Sequence, residues 1–457
     1  MTTDTAPPNK VPAPLKRREI IEALRIGAVP KRGLELFATG LERFEEAIDE
    51  ELDAVAAGRG RFKAVRGDYG AGKTFFARWL EHRARDRGFA TTLVQISETE
   101  TPLYKLQTVY RRAIEGLQTQ EWSEGAFSSL IDRWLFSLEE EVIDSGAARP
   151  DDAEAFGRVV GELMEKRLAD LSSTQRQYAA VLRACYAARL RGDHSTEQGL
   201  VSWLMGQPNV AASIKREAEI SGDLDNDGAA GFVRGLLEVL RQTGRKGLVL
   251  ILDEVETIQR VRSDSREKSL NALRQLIDDV HGGRYPGLYV VITGTPAFFD
   301  GPQGIRRSKP LADRLQSDFS GDPRFFNPRA PQIWLTAFDQ ARLVVVGRRV
   351  RDLYVSKVPE RIKLRADDAL VETIARAITG QLGNKVGIAP RLFLRRLIDV
   401  LDRIEAHADF DPRKDYDLVL KASEMTAEEA DAAGIQRSVD DIELEVTTKT
   451  DADGDLP

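Results

Sequence analysis

Cysteine is almost missing: Cys185 stands alone among 457 residues. No disulfide framework can form, and a reducing compartment is expected. Cys185 falls within Tyr178–Leu190, an apparent helix, and reads as plain core. The four histidines, His82, His194, His281 and His407, have no ligand spacing, so no zinc site is expected. No apolar run approaches a membrane span, and Met1 to Lys16 is proline-rich and polar rather than signal-like. A uniform charge is also lacking. The formal net charge is −7, but eleven acids and two bases between Glu424 and Pro457 leave about +2 on residues 1–423. That acidic stretch reads as a disordered tail or an interaction arm. Two basic clusters remain in the body, Arg59, Arg61, Lys63 and Arg66 in one, Arg391, Arg395 and Arg396 in the other. Each reads as solvated surface, as phosphate ligands or as a contact with DNA.

What is present is a soluble, globular composition, 42% hydrophobic and 30% charged, in a chain long enough for two or three domains. Its organising stretch is Gly67-Asp68-Tyr69-Gly70-Ala71-Gly72-Lys73-Thr74, which fits G-x-x-x-x-G-K-[ST]. Glycines at those positions let the backbone curl, so that several N–H groups point at phosphates and the loop enters a helix N-terminus. Lys73 would reach the β- and γ-phosphates, and the Thr74 hydroxyl would sit on Mg²⁺. Phe62–Arg66 predicts a strand entering the loop, and Thr74–Arg87 a helix with Phe75, Phe76, Trp79 and Leu80 clustered, ending at Gly88.

The apolar run Leu248–Leu252 predicts a strand buried on both faces, tipped by Asp253 and Glu254. Carboxylates there are costly unless used. Asp253 is expected to hold the metal shell and Glu254 to polarise a water. Thr91–Ile96, Leu288–Thr295 and Gln332–Leu335 predict the remaining strands. Thr293 and Thr295 at one strand tip are both candidates to orient that water, and the residues do not choose between them. Arg306, Arg307 and Arg314 follow. If subunits form a ring, one of them, with Arg314 taken into the catalytic set, would reach a neighbour's γ-phosphate. A surface arginine is the plainer alternative for each.

The chain divides accordingly. Residues 1–16 are expected to be disordered, 17–60 to form an N-terminal helical segment, 61–338 the core, 339–423 a helical lid and 424–457 the acidic tail. Val29-Pro30 and Leu36 to Ala38 are candidates to cover the adenine. Mostly helical pattern fills about 118–243 as an insertion whose purpose is not legible. Asp223–Gly228 within it reads as a turn, since the bidentate Glu of a calcium loop is missing. Pro390 would fix the entry of a last helix and set Arg391 toward the nucleotide. Asn384-Lys385-Val386-Gly387 lacks the Asp of a guanine-reading motif, which favours ATP over GTP.

The order of these signals resembles the AAA+ branch of P-loop ATPases. That resemblance implies an α/β fold with a five-stranded parallel sheet, flanking helices, a large helical insertion and a C-terminal helical lid. In it Gly67–Thr74 with Phe75 match the nucleotide loop, Asp253-Glu254 the acid pair, Thr293 or Thr295 the first sensor and Pro390-Arg391 the second. The stretches Leu252-Asp253-Glu254-Val255-Glu256, Thr293-Gly294-Thr295-Pro296 and Ala389-Pro390-Arg391-Leu392-Phe393-Leu394-Arg395 narrow it. With the loop, they resemble the BrxD family of ATP-binding proteins of BREX anti-phage defence systems, from about Arg17 to Ile404. The resemblance implies a cytoplasmic bacterial ATPase using ATP and Mg²⁺ beside other defence proteins, on phage or host DNA, with homo-oligomers possible and no membrane. Two other readings stay open, a slow nucleotide-gated switch or scaffold and an origin-initiator-like DNA-binding ATPase. The second is weakened because the residues after Ile404 are too few and too acidic for a winged-helix domain. A helicase with two such cores is disfavoured, since no second core follows Trp334.

Overall fold

The computed structural model describes residues 13–382 and 389–418. Asn384–Gly387 and the acidic stretch from Glu424 lie outside the described residues. Five strands form one parallel sheet: β1 (Arg61–Arg66), β2 (Ala90–Gln95), β3 (Leu248–Asp253), β4 (Leu288–Gly294) and β5 (Gln332–Trp334). Their order is β2-β3-β4-β1-β5. Each lies within two residues of the run that predicted it. β3 and β4 are buried along their whole length, as continuous apolar runs require when helices cover both faces.

Register brings the functional ends together. Val65 pairs with Thr293 and Gln95 with Asp253. With every strand parallel, the loop after β1, the acids after β3 and the threonines of β4 share one edge, where open α/β sheets place ligands. At the opposite edge, the turns into β3 and β4 nearly touch. A Cβ on Gly247, whose φ is +150°, would lie 2.3 Å from the Gly287 carbonyl oxygen, so only glycine fits there.

Two compact units make up the chain. One comprises Leu34–Asp68 and Gly72–Thr336, the other the described parts of Met1–Gly33, Tyr69–Ala71 and Ala337–Pro457. In the second, the helix Pro14–Arg25 joins the helices Gln340–Leu353, Asp368–Leu382 and Ala389–Ala406. Arg25 grips Asp402 with two bonds of 2.8 and 2.9 Å. The segment expected at 17–60 is thus shared, because the helix Glu42–Ala56 belongs to the sheet unit. The first helix also begins earlier than its apolar pattern showed. Pro14 opens it, so residues 14–16, expected to be disordered, are its first turn; a proline there has its φ preset and no N–H to lose.

Between β2 and β3 the insertion is helical throughout its longer elements, Ala126–Asp144, Ala153–Thr174, Arg176–Leu190, His194–Leu204 and Asn226–Gln242. It has no separate core. Its buried side chains are continuous with those of the sheet. Phe232 is the hub, meeting Tyr178, Trp203 and Tyr110 edge-on with ring centres 5.1, 5.3 and 5.8 Å apart. The stretch read as a turn at Asp223–Gly228 is a helix start: the Asp225 carboxylate accepts the Gly228 N–H at 2.7 Å, the N-cap arrangement. Among the described residues, no helix is long and apolar enough to cross a membrane.

Because Phe232 ties the insertion to a helix packed on β2, removing its ring should loosen both. Phe232→Ala is expected to cost about 3–5 kcal/mol, as a buried aromatic truncation does, read as a lowered urea midpoint. A midpoint within error of the parent would refute the shared core.

Candidate functional site

β1 delivers the chain to the loop and the helix Lys73–Asp86 receives it. Gly70 and Gly72 take φ of +75° and +91°, a left-handed backbone that side chains resist. Lys73, the first helical residue, is 8% exposed. Its ammonium turns back and donates to the carbonyls of Gly67 at 3.0 Å and Asp68 at 3.3 Å.

The acid strand meets this helix directly. The Thr74 hydroxyl donates to Asp253 Oδ2 at 3.0 Å. The Thr293 hydroxyl donates to the other oxygen, Oδ1, and accepts the Glu254 N–H at 3.1 Å. Asp253, 3% exposed, is therefore held from both sides, as a buried carboxylate must be. Two hard oxygens, Thr74 Oγ1 and the Asp253 carboxylate, converge where a small divalent cation beside phosphates would find ligands.

Glu254 has φ +59° and ψ +42°, a left-handed conformation that costs a non-glycine residue on the order of 1 kcal/mol. The bend ends the strand and starts a short 3₁₀ turn, Val255–Gln259. The Gln95 side-chain amide, at the tip of β2, donates to Glu254 Oε2 at 3.0 Å. Gln95 carried no signal in the sequence beyond its place at a strand end.

Glu256 was also missed as a site residue, although it stands in the stretch Asp253-Glu254-Val255-Glu256. The turn folds it inward to 5% exposure. Its Oε1 lies 3.7 Å from the Lys73 ammonium, and neither carboxylate oxygen has a hydrogen-bond partner. Burial pushes the Glu256 carboxyl up to about 6. Lys73 pulls against that shift, while Glu254 and Asp253 add to it.

The other candidates are placed as follows. Thr295 precedes the short helix Pro296–Asp300, and its carbonyl accepts the Phe298 N–H at 3.0 Å; the hydroxyl that reaches Asp253 is that of Thr293. Arg314 donates to both oxygens of Asp278 and to the Pro310 carbonyl. Arg307 pairs with Glu267 at 3.2 Å and Arg306 faces Asp300 at 3.9 Å. Phe75 meets Phe37 edge-on at 5.4 Å, which puts the Leu36–Ala38 stretch against the loop helix. Val29-Pro30 and Arg391 lie in the other unit, where Arg391 packs at the space left by Gly27. The first basic cluster is split: Arg59 is exposed and Arg61 half-buried, whereas Lys63 and Arg66 are buried. Lys63, 1% exposed, pairs with Glu51 at 2.6 Å, and Arg66 pairs with Asp300 between the rings of Trp334 and Phe319.

Thr293 thus serves two buried partners with one hydroxyl. Thr293→Val should leave Asp253 Oδ1 and the Glu254 N–H unpaired and lower stability by about 1–3 kcal/mol, whereas Thr293→Ser should restore most of it. Equal thermal midpoints for all three proteins would contradict this geometry.

No curated protein matches the chain. A family model does: that of the BREX system ATP-binding protein BrxC/D, over residues 13–419. The match spans the loop, both acids, the threonine strand and the helices that follow β5. With close to nine-tenths of its length covered by that model, the chain belongs to the family of BREX system ATP-binding proteins BrxC/D.

Proposed function

We propose that this chain binds Mg²⁺-ATP at the Gly67–Phe75 loop and hydrolyses it, and that the cycle drives or gates a DNA-associated BREX defence complex. The observation that carries the reading is the 3.0 Å bond between Thr74 and Asp253, which couples the glycine loop to an acidic strand tip. Thr74 and Asp253 would hold the metal, whose charge would offset that developing on the transferred phosphoryl group. Lys73 would exchange the carbonyls of Gly67 and Asp68 for phosphate oxygens. Glu254 would orient and deprotonate the attacking water, and Thr293 would relay the state of the phosphate site to Glu254 through its N–H contact.

The AAA+ assignment, with the helices at 339–423 as a lid carrying Arg391, draws support from the sheet order. β4 lies between the loop strand and the acid strand, an order that would set the Thr293 hydroxyl between a bound phosphate and the acids. Arg314 as a finger acting on a neighbouring subunit requires it to leave Asp278. Other components of the defence system are the expected partners. DNA contact through the Arg59–Arg66 cluster loses support, since two of its four cations are buried and paired.

A second reading, a nucleotide-gated switch with slow turnover, is favoured by one contact. The Gln95 amide donates to Glu254 Oε2 at 3.0 Å, a bond that would restrain Glu254 from turning toward a water. Phosphate release measured with and without duplex DNA separates the two: stimulation supports the motor, and flat slow turnover the switch.

Lys73→Ala should abolish ATP binding, and calorimetry showing undiminished affinity would refute the loop assignment. Glu254→Gln should bind ATP normally while turnover falls by about 10²–10⁴, the usual share of a general base. Phosphate release at the parent rate would remove Glu254 from that role.

A further inference from the structure

A buried carboxylate without hydrogen bonds is expensive. Glu256 is one: it is 5% exposed, and both of its oxygens lack a hydrogen-bond partner among the described residues. Among the described residues, the cation that faces it is Lys73, at 3.7 Å. That pair differs from the structural one nearby. Lys63 and Glu51 meet at 2.6 Å, and the lysine also donates to the Ala330 carbonyl at 2.8 Å. Lys73 instead spends its short bonds on the carbonyls of its own loop and faces Glu256 across a gap longer than any hydrogen bond. Such a contact is electrostatic and exchangeable. A phosphate can replace the carbonyls without breaking a direct carboxylate–ammonium bond.

We propose that Glu256 is the resident counter-ion of Lys73, competing with the γ-phosphate of ATP for that lysine and recapturing it when the phosphate leaves. The inference rests on the nucleotide reading above. Two effects of Glu256 have the same sign. Its charge attracts the ammonium away from a phosphate, and its field repels the incoming triphosphate. Both weaken ATP more than ADP, because the terminal phosphate adds charge closest to Lys73. Glu256 is in this sense a positioning residue that tunes the preference between the two nucleotides, with no direct part in the chemical step.

The test uses the full chain with Mg²⁺ and measures affinity for a non-hydrolysable ATP analogue and for ADP by titration calorimetry. Glu256→Gln keeps the shape and removes the charge. It should bind the analogue about tenfold more tightly, and gain clearly less for ADP. Glu256→Asp keeps the charge and should stay within about threefold of the parent. A Gln variant that binds the analogue no better than the parent, or gains equally for both nucleotides, overturns the counter-ion role while leaving the loop assignment intact. So does an Asp variant as tight as Gln, since packing rather than charge would then be at work. If the parent itself fails to bind the analogue, the nucleotide reading falls and this inference with it.

Discussion

The structure around the site depends on one carboxylate. Asp253 is charged by its nature, buried by its position at the end of an apolar strand, and tolerable only because Thr74 and Thr293 satisfy its oxygens. Those two hydroxyls come from different places, the helix after the glycine loop and the strand next to β3. The carboxylate therefore fixes loop helix, acid strand and threonine strand relative to one another. With β4 beside β3, Asp253 meets Thr293 across a single strand spacing, while Thr74 reaches it from the helix that follows the glycine loop.

The strands were legible because a strand covered on both faces has to be apolar throughout, and little else produces such a run as Leu248–Leu252 next to a charged tip. The glycine loop was legible for a similar reason: Gly70 and Gly72 adopt backbone angles that few other residues accept. What stayed hidden depends on where a side chain turns after regular structure ends. Glu254 and Glu256 look alike as acids two positions apart. Only the left-handed backbone at Glu254 sends one toward Gln95 and the other toward Lys73. Likewise, Lys63 and Arg66 read as a basic patch with Arg59 and Arg61, yet they lie on a buried strand. Their partners Glu51 and Asp300 are distant in sequence, and no local pattern links them. The cap at Asp225 was available to inspection, since an Asp three residues before a glycine N–H is ordinary N-cap chemistry; its likeness to a calcium loop drew the reading away.

The insertion bears on the site through packing. Because its apolar residues continue into the core beneath β2 and β3, it cannot move as an independent body without exposing Phe232 and the rings against it. At about 25 cal/mol per Å² of apolar surface, opening such a contact outweighs what a single new hydrogen bond returns. The insertion is therefore packed as a continuation of the sheet unit.

Three carboxylates within four residues, Asp253, Glu254 and Glu256, each have a different partner. Asp253 accepts from two hydroxyls, Glu254 accepts from the Gln95 amide, and Glu256 faces the Lys73 ammonium at 3.7 Å. A nucleotide complex would claim one group from each pair: the Thr74 hydroxyl for a metal, the Lys73 ammonium for phosphate and Glu254 for water. Binding would then exchange existing contacts of Thr74, Lys73 and Glu254 for contacts with the nucleotide complex. Such a site can bind with moderate strength and still be highly selective, because a ligand lacking the terminal phosphate or the metal leaves one of the exchanged groups unpaired.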